Sequence, residues 1–278
     1  MNFHNQYTAL IVEAAISAGR AIMDVYHRDD FKVQLKEDLS PLTEADLKSN
    51  AIIEEYLQQT GIPVLSEEGR HMSYDERKEW SALWIVDPLD GTKEFVKRNG
   101  EFTVNIALVK EGYPVIGVVF APWLGDLYVG DGLASYYFKL SADWKECSFD
   151  EIEKDLNPVN LPSDKTQQIT MVVSISHFSE ETADFIKRVE ARKGAVDKVS
   201  VGSSLKMCLV AAGKADVYPR FGPTMEWDTA AGQAVLEAAG AKLIDLEQKK
   251  RMRYNRENLK NTSFLAMGKG EDMTAFIR

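Results

Sequence analysis

Asp87 and Asp90 stand three residues apart in the string W-I-V-D-P-L-D-G-T-K-E-F that runs from Trp84 to Phe95. Their two carboxylates, with the Leu89 carbonyl between them on one tight turn, form a concentrated set of hard oxygen donors. That donor type suits Mg²⁺, which keeps positions open for substrate phosphate. Pro88 fixes its own φ and brings no N–H to satisfy, and Gly91 lets the chain turn where a Cβ would clash. Gly91, Thr92 and Lys93 then open a helix whose free N–H groups attract anions, so metal and phosphate would share one pocket. An Asp-Gly pair after a strand is ordinarily just a turn. The whole string is more specific, because strand end, paired aspartates, proline, glycine and hydroxyl occur together.

The elements around this turn follow from periodicity. Trp84, Ile85 and Val86 read as the end of a buried strand that stops at Asp87. Leu10, Ile11, Ala14, Ala15, Ala18, Ile22 and Val25 recur at helical spacing and predict an amphipathic helix over 5–27, with His4 and His27 at the surface. Residues 32–47 read as an extended piece up to Pro41 followed by a helix, with Thr43 as N-cap and Asp46 completing a capping box. That structural role is sufficient for both residues. The helix ends at Gly61, and residues 62–65 form a short strand that delivers Ser66-Glu67-Glu68-Gly69. Adjacent glutamates at a strand end are usually solvated, but a Mg²⁺ pair at the Asp87 turn needs more anionic ligands than two aspartates provide. Residues 71–81 are polar and predict an exposed loop or short helix, a candidate flap. Residues 102–109, 113–122 and 127–129 predict a meander of antiparallel strands; Asn105 lies in it with no chemistry assigned.

Residues 141–168 are polar, with Pro158 and Pro162 and an acidic run. They read as a linker between a lobe over 1–140 and a second over 169–278. In the second lobe, strand over 169–175, helix over 180–191 and strand over 195–201 alternate as in an α/β unit. His177 ends the first of these strands, where it either faces a cleft or is an ordinary structural histidine. Gly202-Ser203-Ser204-Leu205-Lys206 opens a helix with Ser203 or Ser204 as N-cap, and two hydroxyls with a lysine at a helix start also make a phosphate cradle. Arg220 leads into a Pro/Gly-rich loop, and its planar fork suits a second phosphate. A helix begins at Glu226 and runs to Gly240, with Asp228 in its first turn, where capping and the helix dipole explain it adequately. The basic run Lys249, Lys250, Arg251, Arg253 and Arg256 reads as a solvated loop rather than a nucleic-acid contact. Residues 264–267 as an edge strand and 273–277 as a short helix close the reading.

Composition bounds the class. The chain has 278 residues, 45% hydrophobic and 27% charged, with a formal net charge of -10. This is a globular composition, and its negative field argues against non-specific nucleic-acid binding. Phosphates remain accessible where a metal and local cations reverse the sign. No leader-like N-terminus and no stretch of about 18 apolar residues occurs, so the expected location is cytoplasmic, with a peripheral place at the inner face of the membrane left open. Cys147 and Cys208 stand apart with no CxxC, which argues against a disulfide framework or zinc site.

Asp87-Pro88-Leu89-Asp90-Gly91-Thr92 resembles the signature of the inositol monophosphatase-like superfamily of Mg²⁺-dependent, Li⁺-sensitive phosphatases, and W-D-T-A-A-G from Trp227 to Gly232 resembles its second signature. Lys93-Glu94-Phe95 and the string from Lys97 to Asn105 narrow the likeness to the CysQ-type 3'(2'),5'-bisphosphate nucleotidases. The resemblance implies an α+β fold, a layered αβαβα sandwich with an antiparallel N-terminal sheet and a mixed C-terminal α/β lobe. It implies two or three Mg²⁺ held by Glu67, Asp87, the Leu89 carbonyl, Asp90 and Asp228, with Glu68 supporting. It further implies that Asp46 and Thr92 activate the attacking water. Substrate contacts are implied for Glu67, Leu89, Asp90, Gly91, Thr92, His177, Ser203, Lys206, Arg220 and Asp228. The implied activity is hydrolysis of the 3'-phosphate of adenosine 3',5'-bisphosphate to AMP and phosphate, in sulfur assimilation and nucleotide recycling, by a monomer or homodimer whose partner is that small molecule. The alternatives are an inositol or fructose phosphatase sharing the metal motif, and a non-catalytic nucleotide-binding protein; the second is disfavoured because every expected ligand and the water-activating pair are present.

Overall fold

The computed structural model describes residues 4–28, 30, 33–35, 41–147, 149–155, 159–162, 169–174, 178–271 and 276. Helix α1 (Thr8–Tyr26) buries Ile11, Ala15, Ala18, Ile22 and Val25, the stripe its apolar spacing predicts. Strands β1 (Val33–Leu35) and β2 (Pro41–Thr43) form a small antiparallel pair. Thr43 ends β2 and caps α2 (Glu44–Gln58) in the expected capping box with Asp46. Next come β3 (Val64–Ser66), α3 (Tyr74–Arg77), β4 (Ala82–Asp90) and α4 (Thr92–Val96), then β5 (Thr103–Lys110), β6 (Tyr113–Ala121), β7 (Asp126–Gly130) and β8 (Ser135–Lys139). Helix α5 (Phe149–Asp155) and β9 (Val159–Asn160) follow. Among the described residues, β3 to β9 form one seven-stranded sheet in sequence order. Its pairs are antiparallel except β3 with β4, which run parallel.

The second sheet takes β10 (Thr170–Val172), β11 (Asp197–Val199), β12 (Val217–Arg220), β13 (Lys242–Asp245), β14 (Lys250–Arg251) and β15 (Phe264–Met267), interspersed with α6 (Glu180–Lys193), α7 (Leu205–Ala211) and α8 (Ala230–Ala238). Its order is β11-β10-β12-β15-β13-β14, with parallel pairs on the β10 side and antiparallel ones around β15. Helices α1 and α2 pack on the outer face of the first sheet, α7 and α8 lie between the sheets, and α6 covers the second. This is the expected αβαβα sandwich.

Side-chain alternation along the strands decides what faces the middle layer. In β4, Trp84 and Val86 join the core against α1 and α2, whereas Leu83 and Ile85 join the core shared with α7 and α8. Asp87 continues the second phase and so points toward the middle layer. In β5, Val104, Ile106 and Leu108 face α1, while Ala107 and Val109 face inward, and Asn105 shares their phase.

Several elements differ from expectation. β4 does not stop at Asp87 but continues to Asp90, with Asp87 opposite Asn105 and Asp90 opposite Thr103 across a register shift. The irregularity lets the turn residues bulge while the ladder persists. β15 is not an edge strand: it lies between β12 and β13, and all four of its residues are buried, as befits an apolar run covered on both faces. Asp228 stands before α8 rather than in its first turn, because the residues from Glu226 form a turn that precedes the helix. β8 adds a strand beyond the predicted meander, and Val159–Asn160 pairs with it. Within 71–81, buried Arg77 donates to the Arg256 and Glu257 carbonyls at 2.6 and 3.0 Å, which ties α3 to the far loop. In the basic run, Arg251 and Arg256 are paired with Glu237 and Glu226. The predicted closing helix over 273–277 lies outside the described residues save Phe276, which is buried. Cys147 and Cys208 are not joined in a disulfide. No helix among the described residues is long and apolar enough to cross a membrane.

Candidate active site

Asp87 and Asp90 from β4 and Asp228 from the turn before α8 meet in space, each offering an oxygen within 4.8 Å of the others. Local bonds fix each of them. The Asp87 carboxylate accepts from the Leu89 N–H at 3.1 Å, and Ser49 on α2 donates to the Pro88 carbonyl at 2.6 Å, pinning the turn. Gly91 has φ +90°, and a Cβ there would come within 3.1 Å of the Glu101 carbonyl, so the turn requires glycine twice over. Asp228 Oδ2 accepts from the Met225 N–H at 2.8 Å.

The electrostatics of this cluster are unfavourable without a cation. Burial, then the charges of Glu67, Asp90 and Asp228, push the Asp87 carboxyl well above the usual carboxylate range. Asp228 is raised in the same way, by burial, by Asp90 and by Glu67. Asp90 is also raised by burial, with the Lys206 ammonium and bonds from Ser204 and Asn105 opposing. Glu67, whose N–H donates to the Val86 carbonyl at 3.1 Å from the end of β3, is therefore near enough to repel two of the three aspartates. Clustered carboxylates whose ionised form is disfavoured by burial and by one another, built only from hard oxygen donors, fit a divalent cation, whose charge would reverse the penalty. The Leu89 carbonyl, a further expected donor, accepts from the Thr92 hydroxyl at 3.3 Å.

Asp46 serves two partners with its two oxygens. Oδ2 accepts from the Thr43 N–H at 2.8 Å, one arm of the capping box, and from the Thr43 hydroxyl at 2.5 Å. Oδ1 accepts from the Thr92 hydroxyl at 3.2 Å. Capping and pairing with Thr92 are thus compatible rather than rival explanations. Burial raises the Asp46 carboxyl, and the nearby Glu68 charge adds to this.

Beside the acids lies a cleft of about 390 Å³ whose wall includes Gly91, Ser203, Lys206, Arg220 and Asp228. Lys206 is buried and donates to the Ser203 carbonyl at 3.0 Å; burial lowers its pKa while Asp90 works the other way. Arg220 donates from Nε to the Gly222 carbonyl at 3.2 Å and from Nη2 to the Pro223 carbonyl at 2.9 Å, so part of its fork braces its own loop. Ser203 has φ +44°, and its hydroxyl is buried with no hydrogen-bond partner among the described residues. Ser204 occupies the predicted N-cap position of α7, but its side chain makes no cap bond. Its hydroxyl instead points to Asp90 Oδ2 at 2.9 Å and the Asp228 carbonyl at 2.7 Å. His177 lies outside the described residues.

Ser49 and Asn105 received no role from sequence, and Ser204 was read as a cap or phosphate-cradle hydroxyl rather than as a partner of the aspartates. Asn105 carried a usable signal: it is a polar residue in phase with Ala107 and Val109 on the inward face of an otherwise apolar strand.

The layered sandwich and the acid cluster at its middle layer define the class, and the chain belongs to the inositol monophosphatase family, whose model matches residues 4–274. Within that family it is similar to 3'(2'),5'-bisphosphate nucleotidases. CysQ of Salmonella typhimurium is 42% identical over 257 residues, covering 91% of this chain and 96% of the relative. CysQ of Escherichia coli K12 is 41% identical over 258 residues, with the same 91% and 96% covered. The crystal structure of CysQ from Bacteroides thetaiotaomicron superposes with a TM-score of 0.83 at 42% identity, covering 96% of this chain and 99% of that one. Thermotoga maritima IMPase, at 22% identity and a TM-score of 0.68 over 92% of this chain and 90% of its own, shares the fold.

Proposed function

We propose that this chain is a Mg²⁺-dependent 3'(2'),5'-bisphosphate nucleotidase that hydrolyses the 3'-phosphate of adenosine 3',5'-bisphosphate to AMP and phosphate. The observation that carries the reading is the meeting of Asp87, Asp90 and Asp228 at the edge of a cleft walled by Lys206 and Arg220. Glu67, Asp87, the Leu89 carbonyl, Asp90 and Asp228 would hold two or three Mg²⁺. When bound, the cations neutralise charge on the transferring phosphoryl group and its leaving oxygen, which so slow a reaction requires.

The chain's own groups do the rest. Thr92 takes a proton from the attacking water as it passes its own hydroxyl proton to Asp46 Oδ1, which burial has made more basic than an ordinary carboxylate. Lys206, the remaining Arg220 donors and the Ser203 hydroxyl hold the second phosphate and the ribose, with Gly91 and His177 completing the substrate contacts. Two lobes, 1–140 and 169–278 joined through 141–168, would then contribute to one site, in a cytoplasmic monomer or homodimer. The similarity to bisphosphate nucleotidases over most of the chain favours this substrate over inositol phosphates.

The test is a released-phosphate panel with Mg²⁺, repeated with Li⁺. Adenosine 3',5'-bisphosphate should be turned over faster than inositol 1-phosphate, with Li⁺ inhibiting; the opposite order would favour the inositol phosphatase alternative.

A further inference from the structure

We propose that Asn105 and Ser204 are positioning residues that hold Asp90 and Asp228 in one geometry before any cation arrives; the proposal rests on the metal-dependent reading above. Asn105 stands on β5 opposite Asp87 and is buried. Its Nδ2 donates to Ser204 Oγ at 3.0 Å and lies 3.5 Å from Asp90 Oδ2. Ser204 carries one hydroxyl hydrogen and places it between Asp90 Oδ2 at 2.9 Å and the Asp228 carbonyl at 2.7 Å. A single serine therefore bridges an acid of the first sheet and the backbone of an acid that enters from the middle layer. These bonds engage Oδ2 of Asp90.

The segment carrying Ser204 is itself docked against the start of β5. The Gly202 N–H donates to Glu101 Oε2 at 2.8 Å. A Cβ at 202 would lie 2.7 Å from the Glu101 carbonyl, so the approach is close enough to demand glycine. Serine at a helix start normally turns its oxygen to a free N–H of the first turn; here that bond is absent, and the hydroxyl serves the aspartates. A carboxylate already fixed by neighbouring donors loses less freedom on binding a cation, and loss of such supporting partners typically lowers metal affinity about 10–100-fold.

The test compares Mg²⁺ affinity of the wild type with Asn105→Ala, Ser204→Ala and the double variant, by titration calorimetry on the whole chain without substrate. Each single change should weaken binding about tenfold, and the double variant should be no worse than about tenfold, because the second change breaks a relay already broken. Turnover lost at limiting Mg²⁺ should return when Mg²⁺ is raised about tenfold, whereas a merely structural role would lower Tm and leave the affinity of the folded protein unmoved. If Ser204→Ala does not fold, Ser204→Cys keeps the shape, supplies only a weak donor and should show the same loss. Binding within twofold of wild type for the folded single variants, or losses that multiply in the double variant, would overturn the proposal. Because the titration needs no substrate, a wild type that binds Mg²⁺ but releases no phosphate would refute the function above while the affinity comparison still decides this point.

Discussion

Asp90→Asn is the substitution whose two consequences have opposite sign. Asp90 is among the charges that raise both Asp87 and Asp228, and the three carboxylates approach within 4.8 Å. An ionised pair at that separation repels by about 3.5 kcal/mol at an effective dielectric of about 20. Asp90 and Asp228 are only half-buried, open to the cleft, and shared protons relieve part of the repulsion. A net relief on the order of 1–2 kcal/mol is therefore expected when the charge is removed without changing shape. For a chain of this size that corresponds to a rise in metal-free Tm of roughly 2–4 °C at neutral pH. The same change deletes a proposed cation ligand, so Mg²⁺ should no longer raise Tm, and turnover should fall at least about 10²-fold. The assays are thermal unfolding with and without Mg²⁺ and phosphate release under saturating Mg²⁺. Full Mg²⁺-dependent activity, or a metal-free variant less stable than the wild type, would refute the reasoning.

Thr92→Val removes the hydroxyl that joins Asp46 to the cleft and should lower kcat about 10²-fold or more while the Mg²⁺ concentration for half-activation moves little; a kcat within threefold of wild type would contradict its role. The Mg²⁺-induced rise in Tm should grow with pH. Asp87, Asp90 and Asp228 keep their protons above the ordinary value of 3.8 in the folded state, so as pH rises through the window up to their raised values they subtract stability. A cation competing with those protons restores more at each step; an increment that is flat or shrinks from acid to neutral pH would count against this. Arg220→Lys forfeits the planar fork that braces residues 222–223, and kcat/KM for the bisphosphate should drop about tenfold, with a smaller loss for a nucleotide carrying one phosphate; equal losses on both would argue against a second-phosphate contact.

The aspartate turn was legible because its information is local: strand end, two aspartates, proline and glycine lie within one dozen residues. The N-terminal helix and the first three meander strands were legible for the same reason, since each buries a stripe its own periodicity declares. What lay outside that range was not readable. The pairing of Asp46 with Thr92 joins residues 46 positions apart and was available only through resemblance. That Asn105 meets Ser204 depends on which face of β5 turns inward and on how closely Gly202 approaches it, neither of which spacing reports. The register shift at Asp87 and Asp90 escaped detection because Pro88 and Gly91 look like chain breakers, although the ladder resumes beyond them. Phe264 to Met267 looked like an edge only because it stands near the chain end, whereas sheet order is a property of the tertiary fold.

Diffraction from crystals soaked in Mn²⁺, which takes the oxygen sites of Mg²⁺ and scatters anomalously, tests the central claim most directly. Anomalous peaks should appear among the carboxylates of Asp87, Asp90 and Asp228, with Glu67 turned toward them. Well-diffracting crystals at millimolar Mn²⁺ with no peak between those three aspartates would contradict the account.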